Sequence, residues 1–183
     1  MDIHEKTKER FAISLKKCME KSSIDHITVT QIVEGSKLTR QTFYRYFKDK
    51  YDLVNWYFEK LVMQSFRQMG VSLTLREALI GKFEFIASEH LFFKQAFLSQ
   101  DYNSLMAYDY RCILAFYKEI ICKNEGSTLN QEIMYLLEMY CRGSIDMTVE
   151  WIKGNINLSP EQMADFLIDA IPLKLKKYLK TVE

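Results

Sequence analysis

Apolar residues recur along this chain at intervals of three and four, the spacing that lines one face of an α-helix. Phe11, Leu15, Cys18 and Met19 place a first helix over about residues 5–21. Ile32 and Val33 belong to a short second helix, and Thr28, between Ile27 and Val29, is its natural N-cap, because a threonine hydroxyl accepts from a free amide of the first turn. Gly35-Ser36-Lys37-Leu38 breaks the pattern, and Thr39 offers the next cap, ahead of a third helix in which Phe43 and Phe47 share a face. Asp49 can cap a longer fourth helix, to about Met69, which carries Leu53, Tyr57 and Leu61 flanked by Val54, Phe58 and Val62.

Residues 70–74 end one apolar period and precede another, so they read as the connection between a small first part and a larger second one. Helical segments are expected near residues 75–88, 90–98 and 102–123, followed by the loop Asn124-Glu125-Gly126-Ser127. The run Ile133, Leu136, Leu137, Tyr140, Cys141, Ser144, Ile145, Thr148, Trp151 and Ile152 then keeps helical spacing until Gly154 closes it. Ser159-Pro160-Glu161-Gln162 combines an N-cap, a proline at the first helical position and a capping-box glutamine. A last helix therefore starts there, with Met163, Phe166, Leu167, Ala170 and Ile171 as its stripe. Pro172 cannot donate to the carbonyl four residues back, so a kink or break is expected near Ile168, with helix resuming to Leu179. The fold class is all-α: a helix-turn-helix over residues 1–50, a connecting helix over 49–69, and a helical regulatory and dimerisation part over 70–183.

Composition supports this picture and narrows it. Hydrophobic residues make up 48% of the 183 and charged ones 27%, which excludes a disordered chain, and only 6 Gly and 2 Pro leave long helices uninterrupted. No apolar run approaches the ~18 residues of a membrane span, and the charged start lacks the apolar stretch of a signal peptide, so the expected location is cytoplasmic. Cys18, Cys112, Cys122 and Cys141 show no Cys-x-x-Cys spacing and read as buried thiols, with no metal or other cofactor expected. His4, His26 and His90 stand in no catalytic spacing with Ser, Cys or Asp, so an enzyme is not expected. Charge is unevenly shared: residues 1–50 carry 11 Lys and Arg against 7 Asp and Glu, the rest 14 against 17. The basic end is the one suited to meet an anion.

Two short helices joined by a tight turn and preceded by a longer one are the parts of a helix-turn-helix, in which the second short helix enters the major groove of DNA. Arg40 and Gln41 occupy the N-terminal end of that helix, from which side chains reach base edges, and arginine and glutamine pair bidentately with guanine and adenine. Tyr44 and Tyr46 carry hydroxyls on rigid arms suited to phosphate oxygens, Lys48 and Lys50 add cations, and Thr28 and Thr30 add hydroxyls at the start of helix 2. A polar helix face with two tyrosines partly packed is the competing reading of these residues alone.

The stretch from Ile27-Thr28-Val29-Thr30-Gln31-Ile32-Val33 through Leu38-Thr39-Arg40-Gln41-Thr42-Phe43-Tyr44-Arg45-Tyr46-Phe47-Lys48-Asp49-Lys50-Tyr51-Asp52-Leu53 closely resembles the N-terminal DNA-binding domain of the TetR family of regulators. The resemblance implies base contacts from Arg40, Gln41 and Thr42, and phosphate contacts from Thr28, Thr30, Tyr44, Tyr46 and Lys50; Thr39 and Lys48 complete the DNA-binding set. It also implies a homodimer paired through the last two helices, reading a palindromic operator in double-stranded DNA, and released by a small-molecule effector as a repressor. The family usually has Ala-Gly in the turn where this chain has Ser36-Lys37, so Lys37 either adopts a left-handed conformation at a cost of about 1 kcal/mol or reshapes the turn. Position 46 is Tyr where the family often has His.

The middle helices, where the family holds its effector, are aromatic here: Phe83, Phe85, Phe92, Phe93, Phe97, Tyr108, Tyr110, Phe116 and Tyr117. Packing is the default role of such a stripe, and no one of them is assigned to a pocket. His90-Leu91-Phe92-Phe93-Lys94, with Gly143 eight residues before Trp151, is more distantly similar to the subgroup that regulates dihydroxyacetone kinase operons. That similarity implies an alternative, an activator whose C-terminal part docks a protein co-regulator and has no small-molecule pocket.

Overall fold

The computed structural model describes residues 2–67, 73–125 and 129–179. Its helices are α1 (Ile3–Met19), α2 (Val29–Ser36), α3 (Arg40–Tyr46), α4 (Lys50–Arg67), α5 (Leu75–Ser88), α6 (His90–Phe97), α7 (Leu105–Glu125), α8 (Gln131–Lys153), α9 (Pro160–Asp169) and α10 (Leu173–Leu179), and a 3-10 turn lies at Ile24–His26. Helix α7 runs on through Asn124 and Glu125, where a loop was expected; Gly126 and Ser127, like Met69 and residues 70–72, lie outside the described residues. No helix among the described residues is long and apolar enough to cross a membrane.

The residues gather into two compact units, Met1–Lys60 with Glu89–Ala107, and Leu61–Ser88 with Tyr108–Glu183. This differs from the single boundary expected at residue 70. The reason is aromatic packing: Phe58 of α4 meets Phe93 and Phe97 of α6 edge-on at 6.0 and 6.3 Å, and Tyr57 meets Phe92 at 5.2 Å. Helix α6 thus completes the core of the first unit.

Within that unit Phe11 and Leu15 of α1, Ile32 of α2, Phe43 of α3 and Leu53 of α4 have no solvent exposure. Phe11 stands edge-on to Phe43 and Phe47 at 5.2 and 6.3 Å, so the face that anchors α3 is clamped against α1. The α2–α3 turn closes as a Schellman motif: Leu38 N–H donates to Val33 O at 3.3 Å and Lys37 N–H to Glu34 O at 3.2 Å. Lys37 takes the left-handed conformation, φ 54° and ψ 38°, so the turn keeps its shape despite lacking glycine there. Two side chains of α1 hold it. Arg10 Nη2 donates to Ser36 O at 2.8 Å, and buried Ser14 Oγ donates to Ile32 O at 2.7 Å. Ser14 comes so close to α2 that a Cβ on Gly35 would stand 2.3 Å from its Oγ.

In the second unit α8 is closed by Gly154 at φ 88°, and α9 opens on the expected capping box of Ser159 and Gln162. Helix α9 stops at Asp169, and Pro172 separates it from α10, as its missing donor requires. Tyr140 donates to Leu167 O at 3.0 Å, and Trp151 Nε1 to Leu158 O at 2.8 Å, tying α8 to α9 and to the loop before it. Lys82 of α5 and Asp109 of α7 form an ion pair at 2.7 Å with both side chains buried. Of the cysteines only Cys141 is fully buried, and burial pushes its thiol up to about 12; Cys122 is exposed, contrary to expectation, and Cys18 and Cys112 are half-buried.

Candidate nucleic-acid interface

Helix α3 begins where Thr39, in extended conformation, turns its hydroxyl back to accept from Thr42 N–H at 3.1 Å. Thr39 and Thr42 hydroxyls also bond each other at 2.8 Å, which fixes both at the exposed end of the helix. Phe43 and Phe47 take the inward positions, so Arg40, Gln41, Tyr44 and Arg45 are left exposed and Thr42 and Tyr46 half-exposed. Arg40 Nη1 lies 3.5 Å from Thr30 Oγ1, so the first residue of α3 and the second of α2 meet at the surface.

The start of α2 follows the same local chemistry. Thr28 Oγ1 accepts from Gln31 N–H at 3.3 Å, while Gln31 Oε1 accepts from Thr28 N–H at 2.7 Å and from its hydroxyl at 3.0 Å. The Thr28 hydroxyl proton is therefore held inside the capping box, whereas exposed Thr30 has its hydroxyl beside Arg40. Asp49 caps α4 by accepting from Asp52 N–H at 2.8 Å, and the Asp52 carboxylate accepts from Lys48 N–H at 2.9 Å, leaving the Lys48 side chain exposed.

Lys50 has a different position from the one expected of a phosphate ligand. Its ammonium donates to the carbonyls of Asp25 and Ile27, each at 2.8 Å, and so fastens the 3-10 turn that leads into Thr28. Burial lowers its pKa, against the pull of the Asp25 carboxylate. Asp25 is itself a node: it accepts from Ser99 Oγ at 2.5 Å, Tyr51 Oη at 3.0 Å and Gln100 N–H at 3.4 Å. Burial alone would raise the Asp25 pKa, but the hydrogen bonds from Ser99 and Tyr51 outweigh it and hold it below the ordinary carboxylate value. Burial and the adjacent Asp25 push Tyr51 up to about 12. Lys16, Tyr57 and Glu89 make a second such node on α1, α4 and the residue before α6.

Sequence reasoning missed three contributors to this surface. Arg10 and Ser14 set the α2–α3 turn, and His4 Nδ1 lies 2.7 Å from Tyr46 Oη, with the rings near edge-on at 5.9 Å. A polar residue on the face of α1 that carries Phe11 was the available signal, and at position 14 it interrupts an otherwise apolar stripe.

With this geometry in hand the chain was compared with known proteins. Residues 74–172 match the TetR-type family model described as the transcriptional regulator C-terminal region. The chain belongs to the TetR family. It is thus a transcriptional regulator in a family that is not enzymatic, and TetR regulators bind DNA and typically dimerise. A 53-residue stretch is 36% identical to the HTH-type dhaKLM operon transcriptional activator DhaS of Lactococcus lactis subsp. lactis (strain IL1403), spanning 29% of this chain and 28% of that protein. Among solved structures the fold is similar to the dihydroxyacetone kinase operon activator DhaS, with a TM-score of 0.64 and 18% identity over 97% of this chain and 98% of that one. It is also similar to RolR in complex with resorcinol, with a TM-score of 0.52 and 15% identity over 98% and 94% of the two chains.

Proposed function

We propose that this TetR-family chain is a sequence-specific DNA-binding homodimer in which α3 enters the major groove. The observation that carries the reading is the division of α3 itself: Phe43 and Phe47 are buried, while Arg40, Gln41 and Tyr44 stand exposed behind a Thr39 cap. Arg40, Gln41 and Thr42 contact base edges, Thr30, Tyr44, Tyr46 and Lys48 contact phosphates, and Thr28 and Lys50 act by holding the start of α2 in place. Arg40→Ala is expected to cost ~1–3 kcal/mol on the cognate operator and little on random DNA, whereas Tyr44→Ala weakens both alike. Equal losses on both duplexes for Arg40→Ala would defeat the base-reading assignment.

Pairing through α8 and α9 is supported by a row of exposed residues four apart on α8: Tyr135, Met139 and Met147, with Gly143 between them. A Cβ on Gly143 would meet nothing within its own chain, so the monomer has no need of glycine there, while a closely packed second helix does. The row borders a groove of about 320 Å³ that Leu167 of α9 and Ala170 just after it also line, and Phe166 of α9 is exposed. A two-fold pair of this kind places two recognition helices on a palindromic site.

Release of a repressor by a small effector is the first reading of its regulation. The second reading is an activator that docks a protein co-regulator; a pocket of about 310 Å³ lined by Leu75, Ile168, Ile171 and Leu179 leaves room for an effector, whereas the interior among the longer helices is closed. The cavity among α5, α7, α8 and α9, lined by Lys82, Tyr117, Tyr140, Ser144 and Thr148 among others, holds about 20 Å³, room for about one water. Its hydroxyls are satisfied within the unit: Thr148 donates to Ser144 O at 2.8 Å, Ser144 to Cys141 O at 2.9 Å and Tyr140 to Leu167 O. The similarity to the activator DhaS favours the second reading. Deleting the gene and measuring transcription of its neighbours separates the two: a rise supports the repressor, a fall the activator.

A further inference from the structure

Between the start of α5 and the corner where α9 gives way to α10 lies the cavity of about 310 Å³, against about 20 Å³ among the longer helices. At roughly 30 Å³ for a water-sized group it has room for about ten of them. Leu75, Ile168, Ile171 and Leu179 make its walls apolar, and the polar residues that line it are Thr74, Arg76 and Lys176. Among the described residues no acidic side chain lines it. Apolar walls with polar groups at a few points are the usual make-up of a small-molecule site.

The three polar groups differ in what they are free to do. Thr74 opens α5: its hydroxyl donates to Glu77 Oε2 at 2.9 Å and accepts from Glu77 N–H at 3.2 Å. Arg76 turns its guanidinium onto Asp165 of α9, donating from Nε at 2.7 Å and from Nη2 at 3.1 Å, and so ties two walls of the cavity together. Half-buried Lys176 has no ion-pair partner among the described residues. Its neighbours on α10 do have partners: Lys174 pairs with Glu132, and Lys177 Nζ lies 4.3 Å from the centre of the Tyr178 ring. An ammonium beside apolar walls, with no carboxylate of its own, is complementary to an anion carried on an apolar body.

We propose that this cavity binds an apolar monocarboxylate of about ten non-hydrogen atoms, its chain against Leu75, Ile168, Ile171 and Leu179 and its carboxylate on Lys176 Nζ. The inference rests on the effector reading of the regulatory part and supplies the class of ligand. Leu167 and Ala170, neighbours of Ile168 and Ile171 in the chain, line the groove beside the exposed row of α8. A ligand in the cavity therefore packs one face of a short stretch whose next face belongs to the pairing surface. A ligand that prefers one position of that stretch shifts the pair toward it.

The test is isothermal titration calorimetry of the full chain with octanoate, beside octylammonium, which has the same chain and the opposite charge. Wild type is expected to bind octanoate roughly tenfold more tightly than octylammonium. Lys176→Met keeps an unbranched stem without the charge and should lose that preference. Ile168→Trp fills the cavity from a half-buried position and should bind neither compound. Thermal unfolding checks both variants, and where Ile168→Trp melts early the Lys176→Met comparison decides alone. No octanoate binding by wild type, or an undiminished preference in Lys176→Met, overturns the proposal. Fluorescence anisotropy on a short duplex, with and without octanoate, tests the reading beneath it. A DNA affinity that octanoate leaves unmoved, with binding still lost in Lys176→Met, keeps the site and defeats the effector reading.

Discussion

Gly35→Ala places a methyl group where the structure leaves no room, 2.3 Å from Ser14 Oγ but 3.5 Å from Ser14 Cβ. The hydroxyl must swing away, and its buried bond to Ile32 O at 2.7 Å is lost, at a cost of ~1–3 kcal/mol. Alanine in a helix returns roughly 0.5–1 kcal/mol relative to glycine, so the single substitution should destabilise by about 1 kcal/mol. Ser14→Ala alone loses the same hydrogen bond, for a similar net loss of about 1 kcal/mol. In the double variant the two methyl carbons meet in ordinary van der Waals contact and the bond is lost only once, so the pair should be close to wild type. The coupling is then about 1–2 kcal/mol, well beyond the ~0.5 kcal/mol expected of independent sites. Urea denaturation followed by Trp56 fluorescence, in a Trp151→Phe background, isolates the unit concerned. Losses that simply add in the double variant would refute the claim that Ser14 and Gly35 share one space.

Lys37→Gly relieves a left-handed lysine and should stabilise by roughly 0.5 kcal/mol, the gain of about 1 kcal/mol being partly offset by the entropy of an unfolded glycine; thermal unfolding checks the sign. Asp25 has a lowered pKa, so its contribution to stability is fully present above the unfolded value of about 3.9 and is lost as pH falls through the lower folded one. The melting temperature of wild type should thus exceed that of Asp25→Asn near neutrality and converge on it in acid, and a constant gap would count against the node. Lys82→Met leaves Asp109 buried without its ion-pair partner and should cost ~3–5 kcal/mol, while Lys82→Met with Asp109→Leu should recover most of that in equilibrium denaturation.

The parts of this fold that were legible in the sequence are those whose chemistry closes within a few residues. Thr28 with Gln31, Thr39 with Thr42, Asp49 with Asp52 and Ser159 with Gln162 each act across three positions, so their helix starts follow from residue type and spacing. The buried faces were legible too, because Phe43 and Phe47 or Val54 and Phe58 fall on a helical period whatever they pack against. Their partners were not, since apolar attraction has no direction and any facing aromatic would serve. Hence Phe92, Phe93 and Phe97 read as a stripe in the regulatory half, whereas α6 covers Phe58. The same limit applies to polar groups that reach across the fold. Lys50 looked like one more cation beside a basic helix, and only the angle between α4 and the 3-10 turn turns it onto two carbonyls. His4 and Tyr46 are 42 residues apart, and nothing in either local segment hints at the other.

The allocation of residues 89–107 to the first unit bears on how this protein can be taken apart. The chain leaves that unit after Lys60, returns at Glu89 and leaves again after Ala107, so neither unit is a continuous stretch of gene. A DNA-binding fragment cut at residue 70 would strip the aromatic cover from Phe58 and the Ser99 partner from Asp25. Chimaeras that exchange reading heads between regulators of this kind need to carry α6 with the head, spliced at three junctions rather than one.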